Sequence, residues 1–261
     1  MKICRYHTPK DPTPRWGQVE GEQVREWSLV DGEPSMGKGV SLHKVILQPP
    51  TDGGRIFGIG RNYAEHIQEL NPGWSAPEPL VFMKPDSALL GAGQPLKLPA
   101  EIGRVDFEGE LALVIGRGGR RIPEETALEH VLGVTCANDI SARDLQQKDG
   151  QWIRAKGFDG FCPLGPWVLR GLDPGDLLLR TWRNDVLIQE ARTSQMLHSP
   201  ARLVAFLSSF CTLRPGDVIL TGTPAGVGPI AVGDRLRVEL EGVGVLETPV
   251  VADEGESDHE A

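Results

Sequence analysis

Three acidic residues, Asp106, Glu108 and Glu110, stand in the segment RVDFEGE, directly before the apolar run LALVIG. In an extended chain, side chains two residues apart point to the same face. Glu108 and Glu110 therefore converge, and Asp106 shares their side. Carboxylates held close repel and raise one another's pKa unless a cation lies between them. A hard divalent ion such as Mg2+ or Mn2+, which takes oxygen ligands, resolves that repulsion. An E-x-E spacing alone also describes a solvated strand face, so other parts of the chain must decide.

Four further places offer matching chemistry. Asp139 ends the apolar run VLGVTCAN and, if buried there, needs a partner; it could complete a three-carboxylate site, or cap the turn that follows. His66 and Glu69 lie three apart on one helix face, where a carboxylate fixes the imidazole tautomer and raises its basicity. A surface His–Glu pair would look the same. Lys156, among the glycines and aromatics of RAKGFDGF, could offset a developing enolate or carboxylate charge. Finally, TGTPAGVG (residues 221–228) lacks the G-K-[ST] of a phosphate loop, so Thr223 and neighbouring backbone amides fit a substrate carboxylate better.

The elements that must position these groups are mostly strands. Residues 1–50 read as short strands broken by turns, a small β-rich N-terminal domain with a Gly-containing link before VSLHKVILQPP and PPTDGG as its exit. Residues 51–251 form the larger domain, and the acidic residues 252–261 read as a solvated, disordered end. GGRIFGIG gives a strand, and Asn62 with Glu65 suggests a capping box for a helix that ends by Asn71-Pro72. Residues 123–132 read as a helix with Pro in its first turn, Asn184-Asp185 as a hairpin turn, and Ser199-Pro200 as the start of the helix ARLVAFLSSF. Irregular strands with few short helices indicate α+β with a rolled or barrel-like mixed sheet, because the βαβ rhythm of a doubly wound fold is missing.

The chain has 261 residues and a net charge of -9, an acidic balance that argues against a nucleic-acid partner. No apolar run approaches the roughly 20 residues of a spanning helix, and the N-terminus has no signal-peptide core, so a cytoplasmic location is expected. Cys4, Cys136, Cys162 and Cys211 show no metal or redox spacing and read as reduced thiols.

In this order, the segments GRNYAEHIQE, FMKP, VDFEGELALVIG, ANDISARDLQ, KGFDGFCPLGP and LRPGDVILTGTPAGVG resemble the fumarylacetoacetate hydrolase family, in its bacterial branch. The resemblance implies a mixed β-roll catalytic domain, a homodimer, and one Mg2+ or Mn2+ held by Glu108, Glu110 and Asp139. It implies His66 with Glu69 as a water-activating base on a lid, Lys156 as enolate stabiliser, and Arg61, Arg143, Gln146 and Thr223 as substrate contacts. The implied substrates are 2-oxo or enol acids, often dicarboxylates. The leading expectation is C–C hydrolysis of acylpyruvate-like acids through an enolate. The alternative is isomerisation or decarboxylation of 2-hydroxyhepta-2,4-diene-1,7-dioate-type dicarboxylates or of oxaloacetate, and a non-catalytic metal-binding member is a third reading. Two departures stand out: Gly157 and Gly160 replace the family's hydroxyl residues, with loss of local hydrogen bonds expected, and Asp86 after FMKP adds negative charge near the anion site.

Overall fold

In the computed structural model, residues 1–30, 33–70, 73 and 77–254 are described; Asn71, Pro72 and most of the acidic end (255–261) lie outside the described residues. The N-terminal strands are β1 (Lys2–Thr8), β2 (Asp11–Glu20), β3 (Gln23–Val30), β4 (Glu33–Ser41) and β5 (Ile46–Gln48). The Gly-containing stretch expected as a link is β4 itself, paired antiparallel with β3 at the sheet edge, where glycine is tolerated. Then come β6 (Ile56–Gly60), α1 (Ala64–Leu70), β7 (Leu80–Lys84), β8 (Leu89–Leu90), β9 (Leu96–Leu98) and β10 (Val105–Phe107). They are followed by β11 (Gly109–Ile115), β12 (Val131–Asn138), β13 (Ser141–Ala142), the short helices α2 (Arg143–Asp149) and α3 (Ile153–Lys156), and β14 (Cys162–Leu169). The last third holds the hairpin β15 (Leu178–Arg183) and β16 (Val186–Arg192), then α4 (Pro200–Phe210), β17 (Val218–Leu220), β18 (Gly228–Pro229), β19 (Arg235–Leu240) and β20 (Gly244–Ala252).

The fold is α+β around a large mixed sheet, ordered β4-β3-β2-β1-β14-β12-β11-β17-β6-β7, with β17 and β6 parallel. The N-terminal strands share this sheet, because β1 pairs with β14. A second sheet, β16-β15-β19-β20-β9, packs on one face. Alternation explains the layers. Leu111, Leu113 and Ile115 of β11 join Leu179, Val238, Leu240 and Leu246 of the second sheet and Leu203, Val204 and Leu207 of α4. Ala112 and Val114 point the other way, against Ile56, Leu164, Val168 and Leu220. Both faces are buried, so the strand is apolar from Leu111 to Ile115.

Three local expectations need correction. Asn62 does not cap α1, which starts at Ala64; its amide donates to His198 O (3.0 Å) and Thr221 O (2.8 Å), and its oxygen accepts from His198 N (2.8 Å). With every side-chain atom committed to neighbouring loops, nothing remains for a cap. Residues 124–130 form a 3-10 helix, and Val131 and Leu132 already belong to β12, whose ladder with β11 claims them. Asp86 is exposed and accepts from Ser87 N (3.0 Å) in a short turn, outside the cavity described below. The turn at Asn184 (φ 51°) and Asp185 (φ 65°) and the Ser199 cap on Arg202 N (3.1 Å) are as expected. Among the described residues no helix is long and apolar enough to cross a membrane.

Gly109 is the backbone pivot of the acidic segment. Its N–H donates to Gln189 Oε1 (3.0 Å), its carbonyl accepts from Thr223 Oγ1 (2.9 Å), and a Cβ there would lie 1.9 Å from the buried Thr181 Oγ1. Gly109→Ala is therefore expected to cost about 1–3 kcal/mol through overpacking, read as a lower urea midpoint. It should also displace the carboxylates on either side, and an unchanged midpoint would contradict this account of the close approach.

Candidate metal centre and active site

Glu108 sits at the break between β10 and β11, Glu110 on β11, and Asp139 just beyond β12. The register pairs Glu110 with Ala137, and Asp139 N donates to Glu108 O (2.8 Å), which brings the end of β12 beside the acidic segment. All three carboxylates are buried, and one oxygen from each lies within 4.8 Å of the others. Asn138 Oδ1 accepts Glu108 N (2.9 Å) and fixes the backbone at the strand break.

Three cations answer these charges. Lys156 Nζ bridges Glu108 Oε2 (2.8 Å) and Asp139 Oδ2 (2.5 Å). Lys84 Nζ donates to Asp139 Oδ1 (2.5 Å) and Ile140 O (3.3 Å). Arg143 joins Glu108 Oε1 (2.5 Å) to Asp106 Oδ2 (2.8 Å) and donates to Gln146 Oε1 (2.9 Å). Asp106 is thus buried on the cavity side as expected, but Arg104 (2.8 Å) and Arg143 take its oxygens, and it stands outside the metal-type cluster. Glu110 alone of the three makes no ion pair among the described residues; Gly222 N donates to its Oε2 at 2.6 Å.

Electrostatics separate the two neighbouring acids. Burial works against ionised Glu108, yet Arg143, Lys156 and His66 overcome it and hold the carboxyl well below its usual range. Burial pushes Glu110 well above its usual range, and the charges of Asp139 and Glu108 add to the push, outweighing the Gly222 N–H. Burial also works against a charged Lys156, but Asp139 and Glu108 raise its pKa all the same. A buried, all-oxygen donor set containing a carboxylate without a cationic partner fits a hard divalent ion. Mg2+ or Mn2+ would be held by Glu108, Glu110 and Asp139. In formal charge, Lys84, Lys156 and Arg143 balance Glu108, Glu110 and Asp139, and Arg104 balances Asp106, so a divalent ion leaves the centre with a surplus of two positive charges for an anionic ligand.

The centre opens into a cavity of about 450 Å3 that also meets His66, Arg61, Arg143, Gln146, Lys156 and Thr223, so the sequence-expected residues converge there, apart from Glu69, which is not in the lining. Glu69 stands behind His66: its Oε2 is 3.3 Å from His66 Nδ1, and the carboxylate accepts Gly226 N (3.2 and 3.3 Å). Phe82 and Trp152, packed edge to face with centroids 5.4 Å apart, form an apolar wall.

The 221–228 loop differs from the expected anion cradle. Gly222 N and Gly226 N serve Glu110 and Glu69, and the Thr223 hydroxyl donates to Gly109 O (2.9 Å) while accepting from Gln189 Nε2 (2.8 Å). The hydrogen-bond loss expected at Gly157 has a steric counterpart: a Cβ there would lie 2.5 Å from Ile153 O and 2.9 Å from Pro85 Cδ. Gly160 adopts φ 76°, a conformation that disfavours hydroxyl residues. Sequence reasoning assigned no role to Lys84, Asn138 or Gln189; for Lys84 the signal was a lysine inside the apolar strand LVFMK.

Comparison with known proteins agrees with this geometry. A family model described as "Fumarylacetoacetate (FAA) hydrolase C-terminal" matches residues 55–251. The chain is 43% identical over 218 residues to a mitochondrial oxaloacetate tautomerase of Xenopus laevis, covering 79% of this chain and 68% of that one. The solved structure of a 5-carboxymethyl-2-hydroxymuconate delta-isomerase from Mycobacterium smegmatis superposes with a TM-score of 0.88 at 43% identity, covering 97% of this chain and all of that one. A 2-hydroxyhepta-2,4-diene-1,7-dioate isomerase from Mycobacterium marinum gives a TM-score of 0.87 at 41% identity, covering 98% and 100%. With the family model spanning the whole of the acidic centre and its cavity, the chain belongs to the fumarylacetoacetate hydrolase family and is one of its enzymes.

Proposed function

We propose that the chain is a divalent-metal-dependent tautomerase or isomerase of 2-oxo/enol dicarboxylates. The observation that carries this reading is the charge of the centre: with a divalent ion, the three carboxylates, the buried Lys84 and Lys156 and the partly buried Arg143 leave two positive charges facing a cavity that His66 also lines. A 2-oxo monoacid head brings one negative charge and its enolate two, so the centre favours the enolate. The bound ion would supply Lewis-acid polarisation of the 2-oxo group. The names of the related tautomerase and isomerases favour this chemistry over the C–C hydrolysis first expected.

In this proposal His66 moves the proton. Its Nδ1 is engaged by Glu69, so Nε2 takes a proton from the carbon next to the 2-oxo group and returns it at another carbon or at oxygen. Lys156 offsets the charge that develops as the proton leaves. Arg143 with Gln146 orients the acid head, and Arg61 and Arg104 at the rim meet the distal carboxylate. Thr223 contributes to the cavity wall, its hydroxyl proton being held by Gly109 O. A complete His66–Glu69 pair also suits activation of water, so hydrolysis of an acylpyruvate remains the second reading.

The purified protein with Mg2+ or Mn2+ should change the enol absorbance of oxaloacetate and of a 2-hydroxyhepta-2,4-diene-1,7-dioate-type acid, with chromatography showing isomers only. His66→Ala should lower kcat about 10²–10⁴-fold. Stoichiometric appearance of two cleavage products from an acylpyruvate, with no isomerisation of the dicarboxylates, would put hydrolysis ahead.

Metal uptake supplies a pH test. The pKa of Glu110 is raised by folding, so its contribution to metal-free stability is fully present below the ordinary carboxyl value. That contribution is lost as pH rises through the folded value. The ion relieves this loss and displaces the proton. The increase in Tm produced by saturating Mg2+ or Mn2+ should therefore grow as pH rises above the ordinary carboxyl range, reaching the equivalent of about 2.7 kcal/mol at 100 times Kd. A metal-induced shift that is flat or falls over that rise contradicts the assignment of Glu110 as a ligand.

A further inference from the structure

Lys84 is the least accessible cation of the centre. Its side chain is 0% exposed, against 2% for Lys156 and 11% for Arg143. Lys156 and Arg143 line the cavity; Lys84 does not. It comes from the end of β7, two residues after the cavity-lining Phe82, and reaches Asp139 Oδ1 without itself entering the cavity lining. The two carboxylate oxygens of Asp139 are thereby divided between two lysines, Oδ1 to Lys84 and Oδ2 to Lys156, and Lys84 is tied to the same turn by Ile140 O (3.3 Å).

Burying a second ammonium is costly, and a neutral donor such as glutamine could hold the same oxygen. What a neutral donor cannot supply is the charge. With Lys84, the centre plus a divalent ion carries two surplus positive charges; without it, only one. A surplus of one is matched by a 2-oxo monoacid head in its ground state and leaves the extra charge of the enolate unbalanced.

We infer that Lys84 is a positioning residue that orients Asp139 from outside the cavity lining and sets the charge of the centre, so that the dianionic enolate is held in preference to the monoanionic keto acid. The inference rests on the enolate chemistry proposed above. Lys84 touches neither substrate nor the reacting atoms and acts through Asp139 and through its field, which in a buried, weakly screened site extends past its hydrogen-bonded partner.

Calorimetric titration of the full-length protein loaded with Mg2+ tests it with two probes. Oxalate is a planar dianion resembling the enolate of a 2-oxo acid, and pyruvate is the monoanionic keto acid. The variants are Lys84→Gln, which keeps a donor without the charge, and Lys84→Met, which keeps neither; Mg2+ affinity and Tm are measured for each. Lys84→Gln is expected to retain Mg2+ and to lose roughly 10-fold in pyruvate affinity, while oxalate affinity, with twice the charge at stake, and kcat fall roughly 10²–10³-fold. Lys84→Met should show the same loss for oxalate and weaker Mg2+ binding as Asp139 loosens. Equal weakening of oxalate and pyruvate in Lys84→Gln, or oxalate binding that it retains, overturns the inference while leaving the functional reading intact. Failure of the parent protein itself to bind either anion overturns that reading and the inference with it.

Discussion

The balance between buried carboxylates and buried cations governs this molecule. Moving ionised groups from water into a protein interior costs several kcal/mol each unless partners restore the lost solvation. Here Lys84, Lys156 and Arg143 do so for Asp139 and Glu108, leaving Glu110 with backbone support only. The two glutamates, separated by one residue, consequently shift in opposite directions, Glu108 down and Glu110 up. A divalent cation would complete the set, and in the proposed chemistry its two charges match those of the enolate.

The fold serves that balance by bringing distant segments to one point. The β10–β11 break, β11 and the turn after β12 supply the acids, β7 and α3 the lysines, and α2 begins with Arg143. The 221–228 loop ties the centre to the helix that carries His66 and Glu69. Gly222 N holds Glu110, Gly226 N holds Glu69, Thr221 O receives Asn62, and Thr223 braces Gly109 with Gln189. Glu110 and the His66–Glu69 pair, the proposed ligand and base, are thus linked through one short loop, and a shift in that loop would move both.

Much of this was legible in the sequence. The two-residue spacing of Glu108 and Glu110 beside the apolar run LALVIG foretold their convergence, the polar end of VLGVTCAN placed Asp139, and the spacing of His66 and Glu69 matches the contact found. Less legible was anything set by long-range pairing. Asn62 has the chemistry of a helix cap, and only the approach of the His198 and Thr221 loops diverts it. The glycine-rich loop has the composition of an anion cradle, and only the fold shows that its N–H groups face the protein's own carboxylates. Lys84 reads as a lone lysine in a strand until β7 is set beside the turn after β12. The choice between hydrolysis and isomerisation lies deeper still, because both chemistries need the same ligands, base and lysine.

The most direct test of the central claim is proton exchange at carbon. A 2-oxo dicarboxylate would be incubated in D2O with the Mg2+-loaded protein while proton NMR follows the hydrogens next to the ketone. Loss of those signals well ahead of the uncatalysed rate, abolished by chelation and by His66→Ala, with the carbon skeleton intact, is the predicted result. Cleavage of the skeleton without prior exchange, or exchange no faster than in buffer, would contradict it.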